Sequence, residues 1–457
     1  MVTRHYEETP HHGLTDDAYI EILVALDAEP ERLAPLLESL HPADIADLIE
    51  RLPREHREAV ITSTPPEHLS EVISHLEDGV KEHVVQFLNP EQVATALTEL
   101  ESDDAADLAQ MIEDMSEDED ADAEDFLTDP QQKHLLEFEE DTAGALMQQE
   151  VLAALPTDTV TQFLEYMRAN GDSLSANPGS IFVVNRQRRL LGTISMGRIV
   201  KAPLKAKLED VMRRDPLTVL PEAPTDQVVR IFEKYDIHNL AVVNKRNQLL
   251  GRVTIDDVLD TVMDDHAYRQ SAAAGVDSDE DLFAPVLTTA RTRLPWLIIN
   301  LFTAIAAASV ISLFEDSIAK LTTLAVLMPI IASSGGNATT QTQTVIIRGL
   351  ATGHITKQNA WALFRKEFAS GNLNGIIIAI LLAIGVLVIF GNPMLSGVIL
   401  MATVANHAIA AFGGWITPLV LKRFNYDPAI STGVITTTFT DVGGFFVFLG
   451  LATLLLL

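Results

Sequence analysis

The 457-residue chain contains no cysteine. That excludes disulfides, thiolate metal centres and cysteine nucleophiles. Basic residues are scarce: 32 Lys and Arg stand against 64 Asp and Glu, a formal charge of −32. Such an excess repels nucleic acid, which is not an expected partner. The C-terminal part has little charge of either sign. Ala284–Leu457 holds nine Lys or Arg and five Asp or Glu, a net +4, which leaves −36 on residues 1–283. The chain thus divides into an acidic water-soluble half and a nearly neutral half suited to a lipid bilayer. Two readings of the acidity stand: solubility in an acidic proteome, or a fold that needs counter-cations. No apolar leader precedes the polar N-terminus, so the soluble half is expected in the cytoplasm.

What is present is organised in blocks. Residues 1–140 read as an acidic helical domain. Apolar residues recur at helical spacing in LHPADIADLIERLP, in PPEHLSEVISHL and in LNPEQVATALTELESDDAADLAQMI, and prolines open the copies. This is the pattern of a superhelical stack of helix pairs. The run EDMSEDEDADAEDF reads as a solvated helix end or loop.

Residues 141–262 contain a duplication. FVVNRQRRLLGTIS (Phe182–Ser195) matches AVVNKRNQLLGRVT (Ala241–Thr254) at a constant offset of 59. Each copy reads as strand, turn, a second strand ending at glycine, then a helix start, with a helix before it. This β-α-β-β-α order, repeated in tandem, resembles a pair of CBS domains. The resemblance implies regulation of a partner domain and binding of nucleotides or ions. Residues 263–294 read as a polar, helical connector.

Five spans follow, at about Trp296–Leu313, Leu321–Ile347, Asn372–Phe390, Pro393–Leu421 and Ala429–Leu457. Each is long enough to cross ~30 Å of hydrocarbon. Eight of the nine basic residues fall before span one, between spans two and three, or between spans four and five; only Lys320 falls elsewhere. By the positive-inside rule those loops are cytoplasmic and the C-terminus lies outside.

Three features of the spans are unusual. The last holds one carboxylate, Asp441, in 22 residues otherwise without charge (Thr436–Leu457). A charge at the bilayer centre costs at least ~2.5–3.5 kcal/mol. No Lys or Arg lies deep in any span, and His407 is the one candidate partner. The second span carries Gly335, Gly336, Asn337 and a run of Thr and Gln to Thr344. The fourth carries Asn406, His407 and the pair Gly413–Gly414. Small and amide residues serve close helix packing; equally, a polar stripe can line water. A passing cation is the simplest partner for Asp441. Hard divalent ions prefer oxygen ligands, and Mg²⁺ keeps most of its water. One Asp441 from each of two subunits would match a divalent charge.

The pattern P-x₅-G-G-N-x₃-Q-x₆-R-x-L-A, carried by Pro329, Gly335, Gly336, Asn337, Gln341, Arg348, Leu350 and Ala351, resembles the MgtE magnesium transporters, as does the TDVGG of the last span. The order of an acidic helical domain, two CBS domains, a connecting helix and five spans is similar over nearly the whole chain. The resemblance implies a homodimer in the bacterial inner membrane, with the Mg²⁺ path between protomers. It places Asp441 as pore carboxylate, Asn337 beside the pore, Thr437 one turn before Asp441 (a position often Ala in the family) and Asp427 near the cytoplasmic mouth. It also implies that cytoplasmic Mg²⁺ bridges carboxylates and closes the pore. The matching residues are Asp103, Asp104 and Asp107, then Asp226, Asp236, Asp257 and Asp260, and Asp265 on the connecting helix. Tyr268 and Arg269 stand where some relatives have acids. CBS pairs also bind ATP at a Thr/Ser-x-x-Asp turn: the second copy has Thr254 and Asp257, whereas the first has Ser195 but Arg198.

Other readings remain. The same architecture could carry Mn²⁺ or Co²⁺, or act as a CBS-regulated sensor that transports nothing. An intramembrane aspartyl protease needs two carboxylates sharing a proton, and only Asp441 lies in a span. The chain is not expected to be an enzyme.

Overall fold

The structure, a computed structural model, describes residues 13–115, 126–127, 130–170, 179–278, 280–356, 358–424, 426, 428 and 434–457. It divides into two units, Met1–Asp264 with Asp281–Phe283, and Asp265–Glu280 with Ala284–Leu457.

The first unit opens with eight short helices: α1 Asp16–Ala28, α2 Leu33–Glu38, α3 Pro42–Arg51, α4 Arg54–Ser63, α5 Pro66–Ser74, α6 Asp78–Val85, α7 Pro90–Glu99 and α8 Ser102–Met115. The prolines begin helices as the sequence implies: Pro42, Pro66 and Pro90 each occupy a first turn, where a missing N–H costs nothing. Asn89 and Gln92 complete a capping box on α7. One apolar core joins the stack, with Leu37, Ile45, Leu48, Ile49, Val60, Ile61 and Val72 fully enclosed.

After α9, Pro130–Leu135, come two copies of one α/β unit. The first is β1 Ala153–Ala154, α10 Val160–Ala169, β2 Ser180–Val184, β3 Leu190–Ser195 and α11 Met196–Lys201. After α12, Leu208–Val211, the second is β4 Thr218–Val219, α13 Thr225–Tyr235, β5 Asn239–Val243, β6 Leu249–Thr254 and α14 Ile255–Ala274. In each sheet the short first strand runs parallel to the next, and a hairpin follows. The 59-residue repeat holds at atomic detail. Asn185 and Asn244 accept backbone N–H groups across equivalent turns. Arg188 and Asn247 both take positive φ, 56° and 59°. The hairpins also join each other, Leu190 N–H donating to Asn247 O at 3.0 Å and Leu249 N–H to Arg188 O at 2.8 Å.

One expectation fails locally. The second strand of each copy runs through its glycine, not to it. The glycines are there because neighbours press close: a Cβ at Gly192 would meet Arg213 O, and one at Gly251 would meet Met147 and Gln148 O.

In the second unit the helices outrun the apolar stretches. They are α15 Val286–Ser312, the short α16 Glu315–Lys320, α17 Thr323–Ala351, α18 Ala360–Phe390, α19 Pro393–Arg423 and α20 Val434–Leu456. Arg291, Arg293, Arg365 and Lys366, read as loop charges, thus lie inside helices. Four of the five long helices, α15, α18, α19 and residues Ile435–Leu456 of α20, are long and apolar enough to cross a membrane. The fifth, α17, spans 29 residues but carries the Thr/Gln run. Helix α19 is the most enclosed, packing against α17, α18 and α20, whereas α15 exposes most of its apolar surface.

Small residues set these approaches. A Cβ at Gly414 of α19 would lie 2.7 Å from Thr339 O and 3.0 Å from Thr342 Cβ on α17, whereas one at Gly385 of α18 meets nothing. Gly414→Val is therefore expected to destabilise the membrane unit by about 1–3 kcal/mol through overpacking, and Gly385→Val to be nearly neutral. Thermal unfolding in detergent distinguishes them.

Candidate metal sites in the two units

The first candidate site begins at the N-terminus of α8. A helix start favours acidic side chains, and Asp103 and Asp104 occupy the first turn. Tertiary packing reverses the benefit. Asp103 is 7% exposed, and among the described residues its Oδ1 has no hydrogen-bond partner. Burial, then the charges of Asp257, Asp104 and Glu101, push the Asp103 carboxyl well above the carboxylate range. Burial raises Asp104 to about 7, with Asp107 and Asp257 adding to the rise and Lys81 opposing it. Asp107 lies on the exposed side of α8. Asp257 rises by burial while its bond from Thr254 restrains it. Glu101, raised mainly by burial, completes the group.

Asp257 belongs to the turn after β6. The Thr254 hydroxyl donates to its Oδ2 at 2.6 Å, and Gln148 Nε2 lies 3.1 Å from the same oxygen. Gln148 Oε1 in turn accepts from the buried Arg252 at 3.1 Å. Ser102, at the head of α8, donates to Glu150 Oε2 at 2.9 Å and accepts from Gln149 N–H at 2.8 Å. These bonds hold the start of α8 against the α/β pair and place Asp103 and Asp104 near Asp257.

Of the remaining predicted acids, Asp260 adds to the repulsion on Asp257. Asp260 is raised by burial and by Asp256. Asp226 lies exposed in the first turn of α13, 3.8 Å from Arg230. Asp236 ends α13 in a left-handed conformation, φ 50°. Asp265, in the second unit, pairs with Arg269 at 2.7 Å. Among the described residues no three acidic or His side chains form a ready metal cage. The group at Asp103, Asp104 and Asp257 is therefore a charge conflict, not a preformed chelate. Glu101, Gln148 and Lys81 were not singled out from the sequence, and only Glu101, two residues before Asp103, lies close enough in the chain to be suspected.

The second candidate site lies among α17, α19 and α20. Asn406 of α19 is fully buried, and its Nδ2 donates to Ile331 O of α17 at 2.9 Å. Side chains at Gly335 of α17 or Gly444 of α20 would collide with it. Gln343 of α17 accepts from Thr436 of α20 at 2.8 Å. These groups serve helix packing. A different face of α17 presents Ser333, Asn337, Thr340, Gln341, Thr344 and Arg348 to the outside, at helical spacing. The site of a Cβ on Gly336 lies 3.9 Å from Thr437, so this stripe borders α20. Thr437 and Asp441 are half-buried, one turn apart. His407 does not serve Asp441: its ring contacts Thr403 O at 2.9 Å and packs on Gly375 of α18. Among the described residues Asp441 has no basic partner. Asp427 lies outside the described residues.

Known proteins decide the family. The magnesium transporter MgtE of Thermus thermophilus is 30% identical over 437 residues, covering 94% of this chain and 96% of that one. The chain belongs to the MgtE family of magnesium transporters. The magnesium transporter MgtE of Bacillus subtilis is 27% identical over 441 residues, 96% of this chain and 97% of that one. Family profiles agree in order: the MgtE intracellular N domain matches residues 40–141, the CBS domain 143–205 and 208–264, and the divalent cation transporter domain 328–451. A crystal structure of the cytosolic domain of the Mg²⁺ channel MgtE in complex with ATP aligns at TM-score 0.48 and 30% identity, over 53% of this chain and 99% of that one. The architecture is that of a multidomain MgtE membrane protein: helical N-domain, CBS pair and helical membrane domain.

The raised carboxyls give a signed prediction. A carboxyl whose folded value exceeds its unfolded value favours the folded state when protonated, and that contribution is lost as pH rises from about 4 through about 7. Without divalent ions, protection of α8 amides, corrected for intrinsic exchange rates, is expected to fall across this window. Asp104→Asn should flatten the fall and raise protection above pH 7, as read by hydrogen-exchange mass spectrometry.

Proposed function

We propose that this MgtE protein is a Mg²⁺ channel or transporter of the bacterial inner membrane, with its ion path between the two protomers of a homodimer. The observation that carries the reading is Asp441: a half-buried carboxylate on a membrane helix, with no basic partner among the described residues, beside an outward polar stripe on α17. In a symmetric dimer two such carboxylates balance one divalent ion. Asn337 and Thr437 supply neutral oxygens that hydrogen-bond the waters Mg²⁺ retains. Asp427 is proposed for the cytoplasmic mouth. The basic helix ends face the cytoplasm, and the C-terminus is external.

Cytoplasmic Mg²⁺ closes the path. Asp103, Asp104 and Glu101 meet Asp257 without enough fixed cations, Asp107 adds its charge beside Asp104, and Lys81 and Arg252 offset only part of the total. Mg²⁺ at this cluster stabilises the compact arrangement; at low Mg²⁺, repulsion favours separation. Asp260, Asp226, Asp236 and Asp265 contribute weaker sites. Several such sites together reach the ~5.5 kcal/mol that a near-complete swing requires. The Thr254–Asp257 turn is a candidate contact for ATP, and there nucleotide and Mg²⁺ would share one carboxylate.

Mg²⁺ entry into proteoliposomes, followed by a trapped indicator dye, tests both parts. Asp441→Asn is expected to abolish entry at equal protein incorporation. Unchanged flux removes Asp441 from the path. Raising Mg²⁺ on the cytoplasmic face should suppress native flux, and Asp103→Asn with Asp257→Asn should weaken that suppression.

A further inference from the structure

Consecutive residues between α14 and α15 are anchored to different elements. Glu280 accepts from Arg293 of α15, at 2.8 Å to Nη2 and 3.1 Å to Nε. Just upstream, Gly275 (φ +72°) turns the chain beside Trp296 of α15. Asp281 instead accepts from the N-terminal helical stack. Arg57 of α4 grips it with two bonds of 2.8 Å, and Arg54 Nε adds a third at 2.7 Å. The side chains of Arg57 and Asp281 are 0% and 2% exposed. Arg57 is further fixed by Ile49 O and Leu52 O, and its guanidinium lies 5.8 Å from the ring centre of Phe283. Phe283 N–H closes the knot on Asp281 Oδ1 at 2.9 Å.

A bidentate pair this enclosed is costly to break, because either partner alone leaves a buried charge. It also leaves little slack. From Asp281 to Pro285, which caps α15, the chain spans at most ~14 Å. We propose that Arg57, Arg54 and Asp281 form a strut through which displacement of the N-terminal helical domain is passed to the first membrane helix along the chain, in parallel with the CBS pair. This rests on the gating by cytoplasmic Mg²⁺ proposed above. The strut gives the N-terminal domain a direct hold on the membrane unit, so that loosening it uncouples Mg²⁺ sensing from closure while the acidic cluster stays intact.

The test uses the full chain in proteoliposomes. The chain has no cysteine, and Leu282, 92% exposed, takes a single spin label as Leu282→Cys. In this background Asp281→Asn is expected to narrow the label's spectrum and to raise the cytoplasmic Mg²⁺ concentration for half-inhibition of flux by ~5-fold or more, the lower end of allosteric coupling. Arg54→Ala, which keeps the buried pair, should give intermediate values in both. An unchanged spectrum in Asp281→Asn overturns the strut. A narrowed spectrum with an unshifted inhibition curve overturns its transmitting role. Flux in the Leu282→Cys background that ignores cytoplasmic Mg²⁺ overturns the gating reading, and the proposal with it.

Discussion

Carboxylates gathered in protein without matching fixed cations repel one another, and burial strengthens the repulsion by removing water. Both halves of this protein depend on that constraint. In the first unit, α8 presents Asp103 and Asp104 to Asp257 across packed structure, and Asp103 Oδ1 finds no donor among the described residues. In the membrane unit, Asp441 stands without a basic neighbour among the described residues. A fold optimised only for stability would pair or remove these groups. In the function proposed above, keeping them makes both places responsive to a small hard cation.

The surrounding packing is ordinary by comparison. Gly335, Gly414 and Gly444 let α17, α19 and α20 close on one another, and Asn406 ties two of them with a single bond to Ile331 O. These contacts use one side of α17. Its other side keeps Asn337, Gln341 and Thr344 outward. Small residues thus account for helix packing, and they leave the polar stripe unexplained except by water, ions or a second subunit.

Much of this was legible in the sequence. The 59-residue repeat forecast two equivalent strand–turn–strand units, because turn residues act locally. Proline positions forecast helix starts for the same reason. Helix ends in the membrane unit were not legible, since charged residues such as Arg293 and Lys366 continue a helix without marking a break. The acidic cluster was legible only in part. Asp103 and Asp104 stand out, but Gln148 is more than a hundred residues from Asp257 and has no local signature. The Arg57–Asp281 pair is separated by 224 residues, and nothing near either residue announces the other. His407, the one side-chain candidate for a partner to Asp441, faces α18 because of where it falls on the turn of α19, and charge alone could not show that.

In the proposed function, burial and then mutual repulsion raise the carboxyls of Asp103, Asp104 and Asp257 until a divalent cation replaces their protons. Proton release on Mg²⁺ binding measures this directly. Calorimetric titration of Mg²⁺ into the full chain near pH 6.5, repeated in buffers of different ionisation enthalpy, counts the protons displaced. The account predicts net release that diminishes in Asp103→Asn with Asp104→Asn and fades as the solution is made more alkaline. Mg²⁺ binding with no proton release at that pH would contradict it.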